Sequence, residues 1–187
     1  MKPTPRFRTL RIFVLGVLFV PLLVLAPFLA SYAQSSIAER PTMNSTTPTA
    51  QAFVTFAVQS DLLELAVSRL AVNSDDARTR TFAEKMIAEH SASLDELKKV
   101  VGDGKVAVVV PDSLDQAHQA KLDALKKLNG TEFLKEYDAL QLATHQDAVT
   151  MFERYASTGD DERLKAFAAG TLPRLKDHLR VAEGLRR

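Results

Sequence analysis

The sequence predicts an all-α protein in which two αα-hairpins form a four-helix bundle and are joined by a long crossover containing a short helix. Three observations lead to this fold class. Apolar residues recur at steps of three and four over four long segments, which is the spacing of one helical face. Glycine and capping residues lie mostly between these segments. The chain contains no cysteine, so apolar packing must stabilise the fold without disulfides.

The beginning of the chain has the pattern of a secretory signal peptide. Four basic residues and no acidic residue precede the apolar stretch 12–30: Lys2, Arg6, Arg8 and Arg11. Ser31 and Ala33 then supply the small side chains that a signal peptidase requires, so we expect cleavage after Ala33. The alternative is an uncleaved anchor, because the apolar stretch approaches the ~20 residues that span a bilayer. Pro21 and Pro27 favour cleavage.

Three regions follow from this pattern: residues 1–33 as signal peptide, 34–48 as a flexible tether rich in Ser, Thr, Pro, Asn and Gln, and 49–187 as the helical domain. The full chain carries a formal charge of +1, and removal of four of its 24 basic residues against 23 acidic ones leaves −3. This balance argues against a nucleic-acid partner. We expect the cleaved protein in the periplasm or outer envelope, with no transmembrane segment.

The first hairpin is predicted from two apolar stripes. The first helix runs from about Thr49 to Val72, and its inward positions are Phe53, Ala57, Ser60, Glu64, Val67 and Ala71. Asn73, Ser74 and Asp75 then supply a cap for the second helix, which ends at Gly102. The inward positions of this helix are Phe82, Met86, His90, Leu94, Leu97 and Val101. Because the connection is short, the two helices should be antiparallel neighbours.

The crossover begins with a β-branched run at 106–110 that is typical of a strand. A single strand has nothing to pair with, so we predict an extended segment that lies on the bundle. Ser113 and Gln116 match a capping box that would open a short helix to about Leu128, and Gly130 would end it.

The second hairpin is predicted from residues 131 to 185. The fourth helix runs from a Thr131 cap to about Ser157, with inward residues Phe133, Leu134, Tyr137, Leu140, Thr144, Ala148, Phe152 and Tyr155. The fifth runs from Asp161 to about Leu185, with inward residues Leu164, Phe167, Ala168, Leu175, His178, Leu179 and Ala182. Pro173 lacks an N–H and should interrupt this helix with a kink. A weak repeat between 74–83 and 159–168 supports the two-hairpin plan.

Each long helix places a group capable of metal ligation or proton transfer on its inner face. These groups are Glu64, His90, Asp138, His145 and His178. Three interpretations remain open. The residues can fix helix register through buried hydrogen bonds, hold a mononuclear divalent metal ion between facing helices, or form a ligand pocket or pH-responsive core.

The sequence lacks the motifs of several enzyme classes. A di-iron carboxylate cage needs Glu-x-x-His on two helices, but Ile87 and Leu175 lie three residues before His90 and His178. Glu89 adjoins His90 but projects about 100° away on an ideal helix, so it is not counted as a ligand. The chain has no nucleophile elbow, phosphate-binding glycine loop or His-Glu-x-x-His pair.

Several segments resemble a known family over roughly residues 50–185: Phe-Ala-Glu-Lys-Met-Ile-Ala-Glu-His90-Ser, Leu-Asn-Gly130-Thr-Glu-Phe-Leu-Lys-Glu-Tyr137, His145 with Phe152-Glu, Leu-Lys-Ala-Phe-Ala168, and Thr-Leu-Pro173-Arg-Leu-Lys-Asp-His178-Leu. The chain resembles the exported bacterial ferritin-like family catalogued as a domain of unknown function, whose members are often labelled predicted outer membrane proteins. The resemblance implies a ferritin-like bundle in the periplasm or outer envelope. It also implies recurrent positions that this chain matches, namely Glu64, His90, Tyr137, His145, Pro173 and His178, but it implies no activity.

We therefore expect a non-enzymatic envelope protein whose inner cluster holds a divalent metal ion or a small ligand. Two other functions stay open at this point. One is a metal-dependent or oxidant-handling enzyme, and the other is a structural module that binds another envelope protein through an exposed helical face.

Overall fold

A computed structural model describes residues 47–102 and 104–185. These residues form five α-helices: α1 (Ala50–Ala71), α2 (Ala77–Val101), α3 (Gln116–Leu125), α4 (Gly130–Thr158) and α5 (Glu162–Leu185). The described residues include no strand, so the all-α class is confirmed. The predicted signal peptide and most of the predicted tether lie outside the described residues.

Side-chain caps start the first three helices, at positions that partly differ from those predicted. The Thr49 hydroxyl accepts a hydrogen bond from the Ala52 N–H at the start of α1. The cap of α2 is Asp76, whose carboxylate accepts from the Thr79 N–H, so the cap predicted at 73–75 is one residue too early. Asp115 caps α3 in the same way and not Ser113.

Two predictions about helix ends are wrong, one at residue 113 and one at residue 130. The Ser113 hydroxyl donates to Asp112 while its carbonyl accepts from the Gln59 side chain, so the predicted capping box does not form. Gly130 has φ +52°, a left-handed conformation that glycine adopts readily. It is the first residue of α4, so it does not end α3, and Thr131 lies inside α4 and is not its cap.

The long helices pack as the two-hairpin plan predicts. α1 lies along α2 and α4 lies along α5, while α2 also contacts α5 and α1 contacts α4. All predicted inward residues of α1 and α2 are buried. Apolar residues form two clusters, one around Phe53, Leu97 and Phe152 and the other around Leu63, Met86 and Tyr137. Four buried polar residues, one on each long helix, lie in sequence between a residue of one cluster and a residue of the other: Glu64, His90, His145 and His178.

The crossover lies on this core as an extended segment. Val106 is buried, and Val108 and Val110 pack against the first apolar cluster. Val109 is 75% exposed. The Gln51 side chain accepts from the Val109 N–H and donates to the Val109 carbonyl, so the segment has its backbone partner on α1 and not on another strand.

Two further features of the helices are the position of Pro173 in α5 and their length and apolarity. Pro173 lies at an exposed position of α5, and the helix continues on both sides of it, so the proline does not end the helix, and the predicted kink stays a prediction. In the part of the chain that the structure describes, none of the helices has the length and apolarity needed to cross a membrane.

Candidate metal centre

Three histidines from three different helices converge inside the domain. His90 lies on α2, His145 on α4 and His178 on α5, and each is at most 3% exposed. Their ring centroids are 5.7 Å apart for His90 and His145, 5.3 Å for His90 and His178, and 5.2 Å for His145 and His178. Each ring brings one nitrogen within 4.8 Å of the nitrogens offered by the other two.

Each histidine uses one ring nitrogen in a hydrogen bond. His90 Nδ1 lies 2.7 Å from Asp61 Oδ1, and His145 Nδ1 lies 2.8 Å from the carbonyl oxygen of Gln141. His178 Nε2 lies 2.6 Å from Glu89 Oε2. Because all three partners are oxygen acceptors, the bonded nitrogen of each ring is the one that carries hydrogen.

The other nitrogen of each ring has no hydrogen-bond partner among the described residues. These atoms are His90 Nε2, His145 Nε2 and His178 Nδ1, and all are buried. Nearly all buried polar atoms in proteins have a partner, so three orphaned nitrogens in one cluster call for an explanation. A neutral imidazole whose N–H is held by a carboxylate or carbonyl offers its other nitrogen as a metal ligand.

Burial and nearby charges set the protonation of the three rings. Burial, together with the charges of His90 and His145, lowers the pKa of His178 to about 2. Burial also lowers the pKa of His145 from its ordinary value. For His90, burial is the largest single influence and acts downward. The Asp61 hydrogen bond and the charges of Asp61 and Glu64 together outweigh it, so the pKa of His90 is raised.

Glu64 on α1 lies beside the cluster and is completely buried. Its Oε2 accepts a hydrogen bond of 2.7 Å from Gln141 Nε2, while its Oε1 has no partner among the described residues. The negative charge of Glu64 acts on both His90 and His145. A buried carboxylate is costly unless a cation or hydrogen bonds compensate its charge, and this one has a neutral amide as its hydrogen-bond donor.

Of the five ligands predicted from the sequence, three lie together in the structure. The group of described atoms within 4.8 Å of one another contains His90, His145 and His178. Glu64 is a neighbour outside that group. Asp138 is buried on α4, and its charge acts on Tyr137. It does not belong to the histidine group in the described part of the chain.

Three residues that hold the rings were not among the predicted site residues: Asp61, Glu89 and Gln141. Asp61 lies three residues before Glu64 on the buried face of α1, and this spacing was a usable signal. Glu89 was set aside because it projects away from His90. That direction takes its carboxylate to His178 on α5 instead. Gln141 binds His145 through its main-chain carbonyl, which no side-chain pattern reveals.

Fold and site together define an all-helical protein with a buried cluster of three histidines. A family profile for a domain of unknown function (DUF4142) matches residues 34–185, and the chain belongs to this family. No curated protein matches the chain in sequence. The ferritin-like affiliation implied by the resemblance stays an expectation.

Two solved structures share the fold. One is CopM in the Cu(II)-bound form, at 16% identity and a TM-score of 0.61, covering 74% of this chain and 96% of that one. The other is a DUF305 fragment from Deinococcus radiodurans, at 16% identity and a TM-score of 0.62, covering 75% and 97%. At such low identity, these similarities demonstrate a common helical fold and nothing more.

Proposed function

We propose that this domain binds one transition-metal ion, with copper as the first candidate, through His90, His145 and His178. The observation that carries the proposal is the hydrogen-bond pattern of the three rings. Among the described residues, each ring has one nitrogen bound to an oxygen acceptor and one without a partner. The rings converge so that three ligand nitrogens lie within 4.8 Å of one another, which is close enough for one ion to bind all three after small movements of the rings.

The ligand set and its surroundings favour a nitrogen-seeking ion. Imidazole suits copper, zinc and nickel, and a site of given ligands generally binds Cu²⁺ most tightly among the divalent ions of the first row. The carboxylates of Asp61, Glu64 and Glu89 lie around the rings and would compensate the charge of a cation. The structural similarity to a protein described in its Cu(II)-bound form supports copper over zinc.

Binding and storage of the ion fit the site better than catalysis on an organic substrate. Three surface cavities of about 370, 660 and 480 Å³ lie elsewhere on the domain, and none is lined by the three histidines. A catalytic metal needs an open position that a substrate reaches. The ligand nitrogens here are buried, so we propose a non-enzymatic role in holding or transferring the ion.

We also propose that this binding takes place in the periplasm or outer envelope. The basic start of the chain, its apolar stretch and the Ser31 and Ala33 exit support export. The family match begins at residue 34, directly after the predicted cleavage position. The function would then be to hold copper outside the cytoplasm.

The test is metal titration of purified, metal-stripped protein. We expect one equivalent of Cu²⁺ to bind, to raise the melting temperature, and to give an electron paramagnetic resonance spectrum with coupling to imidazole nitrogens. Binding to the native state alone requires the rise in melting temperature. His90→Ala, His145→Ala and His178→Ala should each remove most of it.

His118→Ala is the matched control. His118 lies on α3, where its Nδ1 contacts Asp115, and it is not a member of the cluster. Its substitution should leave the metal response intact. If metal-stripped protein melts at the same temperature with and without copper, zinc and nickel, the metal proposal is wrong. The histidines would then fix helix register through buried hydrogen bonds.

A further inference from the structure

A site whose ligand nitrogens are all buried needs a route by which the ion reaches it. His90, His145 and His178 are 3%, 1% and 1% exposed. Two of their three hydrogen-bond partners are also inside the domain: the Asp61 side chain is 8% exposed, and the Gln141 residue is fully buried. The third partner is different. The Glu89 side chain is 31% exposed while its carboxylate contacts the buried ring of His178.

We propose that Glu89 is the residue through which a divalent cation passes from solvent to the three-histidine site. The inference rests on the proposed function and adds the route. Glu89 is a carboxylate with one oxygen on His178 Nε2 and the other facing a solvent-exposed group of charges. Of the two carboxylates that contact the rings among the described residues, Glu89 is the solvent-exposed one.

The surroundings of Glu89 already hold a positive charge. The ammonium group of Lys85 lies 3.9 Å from Glu89 Oε1 and also contacts Asp177 Oδ2. Lys85 and Asp177 are 35% and 40% exposed, so an incoming ion meets this group at the surface. Two carboxylates that share an ammonium form a place that suits a cation, and carboxylate oxygens bind divalent ions. An arriving ion would displace the ammonium from Glu89.

The ring of His178 then connects the two positions. Its Nε2 is on the Glu89 side, and its Nδ1 is the buried nitrogen without a partner. An ion held by the Glu89 carboxylate is therefore one imidazole ring away from the cluster. Nε2 carries hydrogen and has no lone pair for the ion, so the ring would have to turn to offer Nδ1, and its return would carry the ion inward. The Nε2–H bond to Glu89 would break when the ring turns and would form again once the ion is in place.

The test compares association rates of Cu²⁺ by stopped-flow absorbance with purified, metal-stripped wild-type protein, Glu89→Gln and Glu84→Gln. Glu89→Gln should slow association roughly ten-fold or more, because removal of an attracting charge weakens electrostatic steering. Glu84 is an exposed glutamate on the same helix, so Glu84→Gln makes the same charge change away from His178 and should bind at the wild-type rate. Lys85→Met should speed association, since the competing ammonium is gone.

The Asp61→Asn variant distinguishes a residue on the entry route of the ion from a residue that only holds a histidine ring in place. Asp61 holds His90 as Glu89 holds His178, but it is buried. Its loss should raise the dissociation rate while the association rate changes less than in Glu89→Gln. The proposal is overturned if Glu89→Gln associates at the wild-type rate, or if Glu84→Gln slows association equally. If wild-type protein binds no ion, the proposed function itself fails, and that result is distinct from a change in rate.

Discussion

Asp61 Oδ1 lies 2.7 Å from Nδ1 of His90, and both side chains are buried between α1 and α2. The contact joins the two helices of the first hairpin at the level of the histidine cluster. It fixes the orientation of the His90 ring and leaves Nε2 without a hydrogen-bond partner among the described residues, in a ring whose centroid is 5.7 Å from that of His145. It also favours the protonated ring, which competes with metal binding.

The first prediction is that metal affinity falls on acidification earlier than for an ordinary histidine site. The pKa of His90 is raised above 6.5 by Asp61 and Glu64, although burial acts against this. A protonated His90 has no lone pair for a metal, so affinity should begin to fall while the pH is still above 6.5. Isothermal titration calorimetry across this range measures it.

Asp61→Asn provides the control for this pH dependence. The variant removes the charge that raises the pKa of His90, so the acid loss of affinity should move to lower pH. An affinity that stays constant down to the ordinary histidine pKa in the wild type would contradict the role given to Asp61.

The second prediction concerns the stability of the metal-free protein. Burial holds the pKa values of His145 and His178 below 6.5 in the folded state, so the unfolded chain binds more protons on acidification. Their effect is a loss of stability as the pH falls below 6.5. His90 acts oppositely: its raised pKa adds stability that is complete below 6.5 and is lost as the pH rises through the folded value.

Urea unfolding from about pH 5 to about pH 8 measures this balance. The contribution of the three histidines should be largest near their ordinary pKa of 6.5. The His178→Ala variant should lose less stability than the wild type on the acid side, because one buried neutral ring is gone. If the loss of stability at acid pH is unchanged in His178→Ala and His145→Ala, groups other than these two histidines cause it.

Helical periodicity was sufficient to predict most of the fold. The inward stripes of the first two helices are buried as predicted, because a long helix must bury its apolar face. The cap positions were less predictable. Asp76 and Asp115 compete with neighbouring Ser and Asp residues that are equally good caps, and contacts distant in sequence decide among them. Gln59 is one such contact, since it binds the backbone on both sides of residue 114.

The candidate site was predictable only in part. His90 and His178 were found because each lies on a predicted apolar stripe, where a polar side chain is conspicuous, and His145 because it lies on another of the long helices. Their supports were not, because Glu89 lies off the stripe of its own helix and reaches a different helix. Asp138 was included through its sequence distance from His145, yet its position on α4 does not bring it into the histidine group. The relative rotation of two helices decides such contacts, and periodicity on one helix does not give it.

The third prediction tests the core assignment. Leu94 is 8% exposed and belongs to the first apolar cluster. Leu94→Ala should reduce the free energy of unfolding by about 2–5 kcal/mol, because it removes buried apolar atoms and leaves a cavity. Val109→Ala at the 75% exposed position should change it by less than about 0.5 kcal/mol. Chemical denaturation measures both, and equal effects would show that the core is placed wrongly.

The fourth prediction concerns processing. Exported protein should begin at Gln34, and intact mass of periplasmic material measures this directly. A further truncation at about Thr49 should leave the melting temperature nearly unchanged, because the predicted tether has little apolar surface to bury. Retention of residues 1–33 in the membrane fraction would favour the anchor.

The last prediction concerns the buried negative charge of Glu64. Glu64→Gln keeps the size of the side chain and an oxygen for the Gln141 contact, but removes a buried negative charge whose Oε1 has no partner among the described residues. The metal-free variant should therefore be more stable than the wild type, by about 1–3 kcal/mol. Its metal-induced gain in melting temperature should be smaller, because the cation loses a compensating charge. Glu136→Gln, at an exposed position of α4 beyond its first turn, should change neither quantity. If Glu64 compensates the charge of a bound cation, Glu64→Gln should raise the stability of the metal-free protein and reduce the gain in melting temperature on metal binding. A Glu64→Gln variant that is less stable without metal and gains as much as the wild type with it would show that Glu64 serves the fold alone.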